Sequence, residues 1–149
     1  MSTNSAEIQK VVTDWYRSIE RRNVDHIVEL MTDDIVGDMP YSPGDFPKRL
    51  VGKVTHRDFM SKAVSGYSNI SFLNFRYWPM ENSNYIGLQC ESNFTLNAGN
   101  IYANNYFCLF KVVSQKIAHW VEYYNPIIFL NAHGSAEQAC EQYGISSLK

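Results

Sequence analysis

The sequence predicts an α+β domain in which a strongly curved antiparallel sheet wraps into a cone around three N-terminal helices. Three observations carry that reading. Apolar residues recur at helical spacing up to about residue 66, a two-residue alternation takes over after Gly66, and turn-like segments divide the second half into four long strands. At 149 residues, folding buries roughly 70% of the unfolded surface, enough for one self-sufficient core. A single domain over 1–149 is expected.

Ile8, Val11, Val12, Trp15 and Ile19 mark one helical face. With Asn4 or Ser5 as a cap and Arg21-Arg22 suited to the C-terminal dipole, they predict a first helix over 6–22. Asn23 can cap a second helix with the stripe Val24, Ile27, Val28, Leu30 and Met31, which Thr32-Asp33-Asp34 breaks. A short strand, Ile35 to Met39, follows. In the segment Pro40 to Pro47, three prolines and Gly44 exclude regular structure, while Tyr41 and Phe46 imply a loop that packs as a wall or lid. Thr55 and Asp58 resemble a capping pair for a third helix that carries Phe59, Met60, Ala63 and Val64 and stops at Gly66.

Strands are expected over 70–78, 85–96, 101–113 and 117–125, forming a meander. In the second of them Ile86, Leu88, Cys90, Phe94 and Leu96 alternate with more polar neighbours, giving one apolar face. Ser135 and Gln138 form a capping box for a last helix over 135–143, with Gly144 as its stop. Long curved strands around helices give a cone with a closed end and a mouth.

Composition narrows the function. At 45% apolar and 19% charged the chain is too apolar for disorder. Thirteen basic against fifteen acidic residues leave no footprint for nucleic acid or an anionic membrane. No stretch approaches the length of a membrane span and the polar N-terminus does not read as a signal peptide, so a cytoplasmic protein is expected. Three dispersed cysteines suggest neither a disulfide framework nor a metal or redox pair, and four histidines lack ligand spacing. No nucleotide-binding, zinc-protease or serine-hydrolase motif is present. Neither a metal nor a cofactor is expected.

The candidate chemistry rests on a few residues. Glu122 lies in an aromatic strand and shares its face with Ala118, Trp120 and Tyr124, where desolvation would raise its pKa toward the range of a general acid or base. A solvated outer-face glutamate is the competing reading. Asp38 is the second catalytic candidate, although alternation leaves open whether Asp38 or Met39 points inward. Tyr102, Asn104, Tyr106 and Cys108 fall on one face of their strand, where Asn104 and Tyr106 can hold a carbonyl or hydroxyl. Trp15, Tyr16, Tyr41, Phe59, Trp120 and Tyr124 supply ligand walls if the cone is hollow. Tyr77, Phe107 and Tyr123 on an outer sheet face predict a homodimer.

The run Asn23 to Asp34, together with Trp15 and the order of three helices before a meander, resembles the nuclear transport factor 2-like superfamily, which includes ketosteroid isomerase. Met39-Pro40-Tyr41-Ser42-Pro43 followed by Lys48 to Lys53 resembles the loop of SnoaL-like polyketide cyclases. Glu122-Tyr123-Tyr124-Asn125-Pro126 is similar to the end of the last strand in phenazine biosynthesis A/B-like proteins. The resemblance spans nearly the whole chain. Against ketosteroid isomerase it places Trp15 at the oxyanion-hole tyrosine, with Tyr16 adjacent, and Met39 at the base aspartate, one residue after Asp38. Tyr106 falls near the second oxyanion donor. Glu122 matches the acid/base glutamate of the phenazine pattern.

The resemblance implies a cofactor-independent isomerase, cyclase or dehydratase of secondary metabolism, acting on a small, largely apolar cyclic molecule held in the cone. The competing class is a noncatalytic small-molecule-binding or protein-interaction module.

Overall fold

A computed structural model describes residues 4–81 and 83–145. Helix α1 (Ser5–Glu20) begins where the Asn4 side chain accepts the Ala6 N–H at 3.1 Å, and it buries Ile8, Val11, Val12, Trp15 and Tyr16. Helix α2 (Val24–Glu29) is capped in the same way by Asn23. Its predicted stripe runs too far. Met31 is fully buried and opens strand β1 (Met31–Asp38), which the Ile117 N–H anchors by donating to the Leu30 carbonyl at 2.7 Å.

Strand β2 (Arg49–Val51) pairs with β1 and leads into α3 (Lys53–Ser65). This helix starts at Gly52, whose φ of 87° is the left-handed conformation that glycine tolerates. Thr55 and Asp58 therefore lie within the helix and do not cap it.

The second half forms β3 (Tyr67–Asn69), β4 (Phe72–Pro79), β5 (Tyr85–Ser92), β6 (Phe94–Leu96), β7 (Ile101–Tyr102), β8 (Asn105–Val113) and β9 (Lys116–Tyr124). Six strands make one sheet in the order β2-β1-β9-β8-β5-β4, and β3-β6-β7 make a smaller one. The predicted strands 85–96 and 101–113 are each broken in two, and β3 precedes the one expected at 70–78. The breaks fall at one level. Ser92 N–H donates to the Asn104 carbonyl at 2.9 Å and Asn93 N–H to that of Ser71 at 2.8 Å, so the sheet bends there and the strand ends close the cone. The meander is antiparallel as expected, whereas β1 joins β9 in parallel.

Two irregularities aim the side chains. The β8–β9 register shifts so that Ile117 faces Val112 while His119 faces Lys111, which makes Ala118 the extra residue of a bulge. Beyond it Trp120, Glu122 and Tyr124 lie opposite Phe110, Cys108 and Tyr106 on the concave side. In β4, Asn74 with φ 58° accompanies a second shift, and Tyr77 turns inward to hydrogen-bond the Thr13 hydroxyl of α1. Tyr77 is thus removed from the predicted outer surface.

Helix α4 (Pro126–His133) was not expected. Asn125 Oδ1 accepts the N–H groups of Ile127 and Ile128, and Pro126 suits the first turn because no intrahelical donor is needed there. Helix α5 (Ala136–Gln142) starts at the predicted Ser135 cap.

Candidate active site

The concave sheet face, α1, α3 and the two C-terminal helices enclose a cavity of about 110 Å³. Its walls include Trp15, Tyr16, Met39, Phe59, Tyr106 and Tyr124 from the predicted set. Phe46 of the proline loop, Phe59 and Tyr143 also line an outer groove of about 710 Å³. These three rings pack within 6.1 Å of one another, so the loop is a wall between groove and cavity.

Glu122 is the one carboxyl among the cavity-lining residues described. Burial pushes its pKa up to about 7, and burial is the single cause, since no cation or hydrogen-bond donor offsets it among the described residues. The phenols of Tyr16, Tyr102, Tyr106 and Tyr143 are raised well above their ordinary value, first by burial and further by the Glu122 charge. They stay neutral at physiological pH. Glu122 is therefore the cavity group able to exchange a proton there.

Asp38 lies elsewhere. Register places it beside Arg49 and Val121 on the convex face, so Met39 is the residue that turns into the cavity. The Asp38 carboxylate accepts from Arg49 Nε at 2.7 Å and lies 2.8 Å from His119 Nε2. The Arg49 hydrogen bond is the largest influence and holds its pKa below the usual range; burial opposes it, and the His119 hydrogen bond adds a smaller lowering. This is a carboxylate paired with Arg49 and His119, outside the cavity lining.

Three other expected ligand contacts are also displaced. Tyr41 is 60% exposed and packs edge-on against Tyr123. Trp120 lies behind the wall, where its Nε1–H donates to His56 Nε2 at 3.0 Å. Asn104 is buried with its side-chain amide fully used: Nδ2 donates to Tyr102 Oη and the Asn125 carbonyl, and Oδ1 accepts the N–H groups of Asn105 and Asn125. It braces Tyr102 and has nothing left for a ligand.

The residues that the sequence reading missed are Tyr67, Tyr143 and His133. Tyr67 Oη lies 2.7 Å from Tyr143 Oη and 2.8 Å from His133 Nε2. Tyr67 belongs to β3, Tyr143 caps the C-terminus of α5 and His133 ends α4, and no local spacing links them. Tyr102 shared a predicted face with Tyr106, and that alternation was the available signal. The indole N–H of Trp15 is buried without an acceptor among the described residues, and neighbouring atoms close it off from the cavity.

Among the described residues no cluster of three His, Cys, Asp or Glu could hold a metal, and no helix is long and apolar enough to cross a membrane. The three cysteines are free and buried.

No protein-family model matches the chain. It is 25% identical over 118 residues to the uncharacterized protein YesE of Bacillus subtilis, covering 78% of this chain and 80% of that protein. Among solved structures, an NTF2-like protein from Burkholderia xenovorans superposes with a TM-score of 0.70 at 15% identity, covering 87% of this chain and 97% of that one. The chain has the nuclear transport factor 2-like fold. A candidate isomerase from Bacillus subtilis superposes with a TM-score of 0.82 at 19% identity, covering 87% of this chain and 94% of that one. A candidate polyketide cyclase from Xanthomonas campestris has a TM-score of 0.75, 16% identity and coverage of 87% and 98%. In the NTF2-like frame of this chain, the bulge at Ala118 and the bend at Asn93 and Asn104 are what aim Glu122 and the tyrosines into the cone.

Proposed function

We propose that the chain is a cofactor-independent acid–base enzyme of the isomerase, cyclase or dehydratase type, acting on a small, largely apolar cyclic metabolite. The observation that carries this reading is a lone carboxyl with a pKa near 7 in a cavity otherwise lined by aromatic and aliphatic side chains. Both protonation states are then populated at neutral pH, as a group that takes and returns a proton requires. Ionised Glu122 removes a proton from carbon next to a carbonyl, the electron pair moves toward oxygen, and the protonated carboxyl returns the proton at a second atom. Support also comes from the resemblance of the Glu122 segment to the phenazine A/B-like pattern. The candidate isomerase and cyclase with the same fold point the same way.

One observation favours a noncatalytic binding module: with Asp38 on the convex face, the cavity lacks a second carboxyl among the described residues. The two readings separate in deuterium oxide. Cyclohexanone incubated with the protein should exchange its α-protons faster than in buffer, as followed by proton NMR. Binding without accelerated exchange would instead identify a carrier.

The same proposal includes a homodimer built on the convex sheet face, in a reducing cytoplasm that suits three free thiols. Trp78 and Phe107 are 42% and 41% exposed, and Gly87, Leu109 and Val121 continue the row from Trp78 across the sheet. Such a continuous apolar band needs cover. Light scattering should give twice the 17.2 kDa chain mass, and Phe107→Glu should shift it toward the single-chain value. A wild-type mass of one chain at high micromolar concentration would exclude the dimer.

A further inference from the structure

Two hydroxyl chains run through the cavity wall, and their hydrogen bonds point in opposite directions. In the first, His133 Nδ1 lies 2.8 Å from the Phe129 carbonyl, which can only accept, so Nδ1 carries the proton and Nε2 is bare. Burial lowers the imidazole pKa and keeps this form. Tyr67 must therefore donate to His133 Nε2, and its oxygen accepts from Tyr143. With its proton committed, the Tyr143 oxygen keeps free lone pairs, and none of the described residues donates to it.

The second chain ends the other way. Asn104 N–H donates to Ser92 Oγ, whose own proton goes to Tyr106 at 3.0 Å. Tyr106 donates to Tyr102 Oη at 3.1 Å, and Asn104 Nδ2 donates to the same oxygen at 2.9 Å. The Tyr102 oxygen has thus accepted twice, and its proton has no acceptor among the described residues. Accepting two hydrogen bonds polarises that O–H into a stronger donor.

Tyr102 and Tyr143 both line the cavity that holds Glu122. We infer that the cavity takes a single-ring hydroxy-carbonyl compound, whose carbonyl oxygen accepts from Tyr102 and whose hydroxyl donates to Tyr143. This rests on the acid–base reading above and adds the substrate class to it. The size agrees, since an apolar cavity of about 150 Å³ holds one benzene ring and this cavity is of that order. Tyr102 also serves the chemistry. When Glu122 takes the α-proton, negative charge develops on the carbonyl oxygen, and a donor already oriented there stabilises it without giving up its proton. The proton on Glu122 then returns to a different carbon, so the product is an isomer and no further reactant is consumed.

The test uses three shape-matched probes, toluene, benzaldehyde and phenol, measured by calorimetry or ligand-detected NMR on wild type, Tyr102→Phe and Tyr143→Phe. Wild type should bind both polar probes more tightly than toluene. Tyr102→Phe should weaken benzaldehyde by about tenfold with little change for phenol, and Tyr143→Phe should do the reverse. Unchanged toluene binding shows that each variant keeps its fold. Should either variant fail to fold, wild-type hydroxyl resonances decide: the Tyr102 proton must shift downfield with benzaldehyde and not with phenol, and its failure to do so overturns the inference. Polar probes that bind without the crossed pattern overturn the hydroxy-carbonyl assignment but leave the acid–base reading standing. If none of the three probes binds, the small-ring cavity reading falls, and the substrate class with it.

Discussion

Glu122→Gln is expected to stabilise the protein at pH 7 while reducing proton exchange into cyclohexanone by roughly 10²-fold or more. The direction follows from linkage. A carboxyl raised to about 7 from an ordinary value of 4.5 is favoured by the fold in its neutral form. Below pH 4.5 both folded and unfolded chains hold the proton and the residue costs nothing. Between 4.5 and 7 the unfolded chain releases it and the folded chain retains it, so stability falls with rising pH and levels off above the folded pKa. The full penalty is about 3 kcal/mol. Glutamine keeps the shape and removes the titration, so the melting temperature of the variant should exceed that of wild type by several degrees at pH 8 and match it near pH 4. A variant destabilised at pH 8 with undiminished exchange would make Glu122 a structural residue.

The second large effect is expected at Gly37. A Cβ built there would lie 2.2 Å from Trp120 Cε2 and 2.3 Å from Cζ2, far inside contact distance. The indole has little room to yield, because its Nε1–H is held by His56, whose Nδ1–H in turn donates to the Gly52 carbonyl, and Trp15 packs beside it. Overpacking of this kind costs about 1–3 kcal/mol, and loss of the buried indole hydrogen bond adds about 1 kcal/mol. Gly37→Ala should therefore lower the denaturation midpoint substantially in the wild-type background and much less in Trp120→Leu. Equal losses in both backgrounds would mean that the ring is not the obstacle. The cost should also reach the site, since Trp15 forms part of the cavity wall.

What could be read from the sequence was whatever local chemistry determines. The caps at Asn4, Asn23 and Ser135 act within a few residues of themselves, and each was found where the sequence placed it. Glu122 was legible because a two-residue period counted from Tyr124 through Trp120 crosses no irregularity; the bulge lies just before, at Ala118. The helix after Asn125 carries a cap-then-proline signal, which the strand pattern running up to Asn125 masks. Other features depend on pairing between distant segments. Whether Asp38 or Met39 faces inward is decided by the neighbours β2 and β9, and the bends that split the long strands arise where three strands curve together. The Tyr67, His133 and Tyr143 cluster joins residues up to 76 positions apart, beyond the reach of any periodicity.

The central claim is that Glu122 is a carboxyl poised by burial to exchange protons near neutral pH. It is tested most directly by a carbon-13 NMR titration of the Glu122 side-chain carboxyl, assigned by comparison with Glu122→Gln. A midpoint near pH 7 is the result that the cavity geometry predicts, and a midpoint near 4.5 would contradict it.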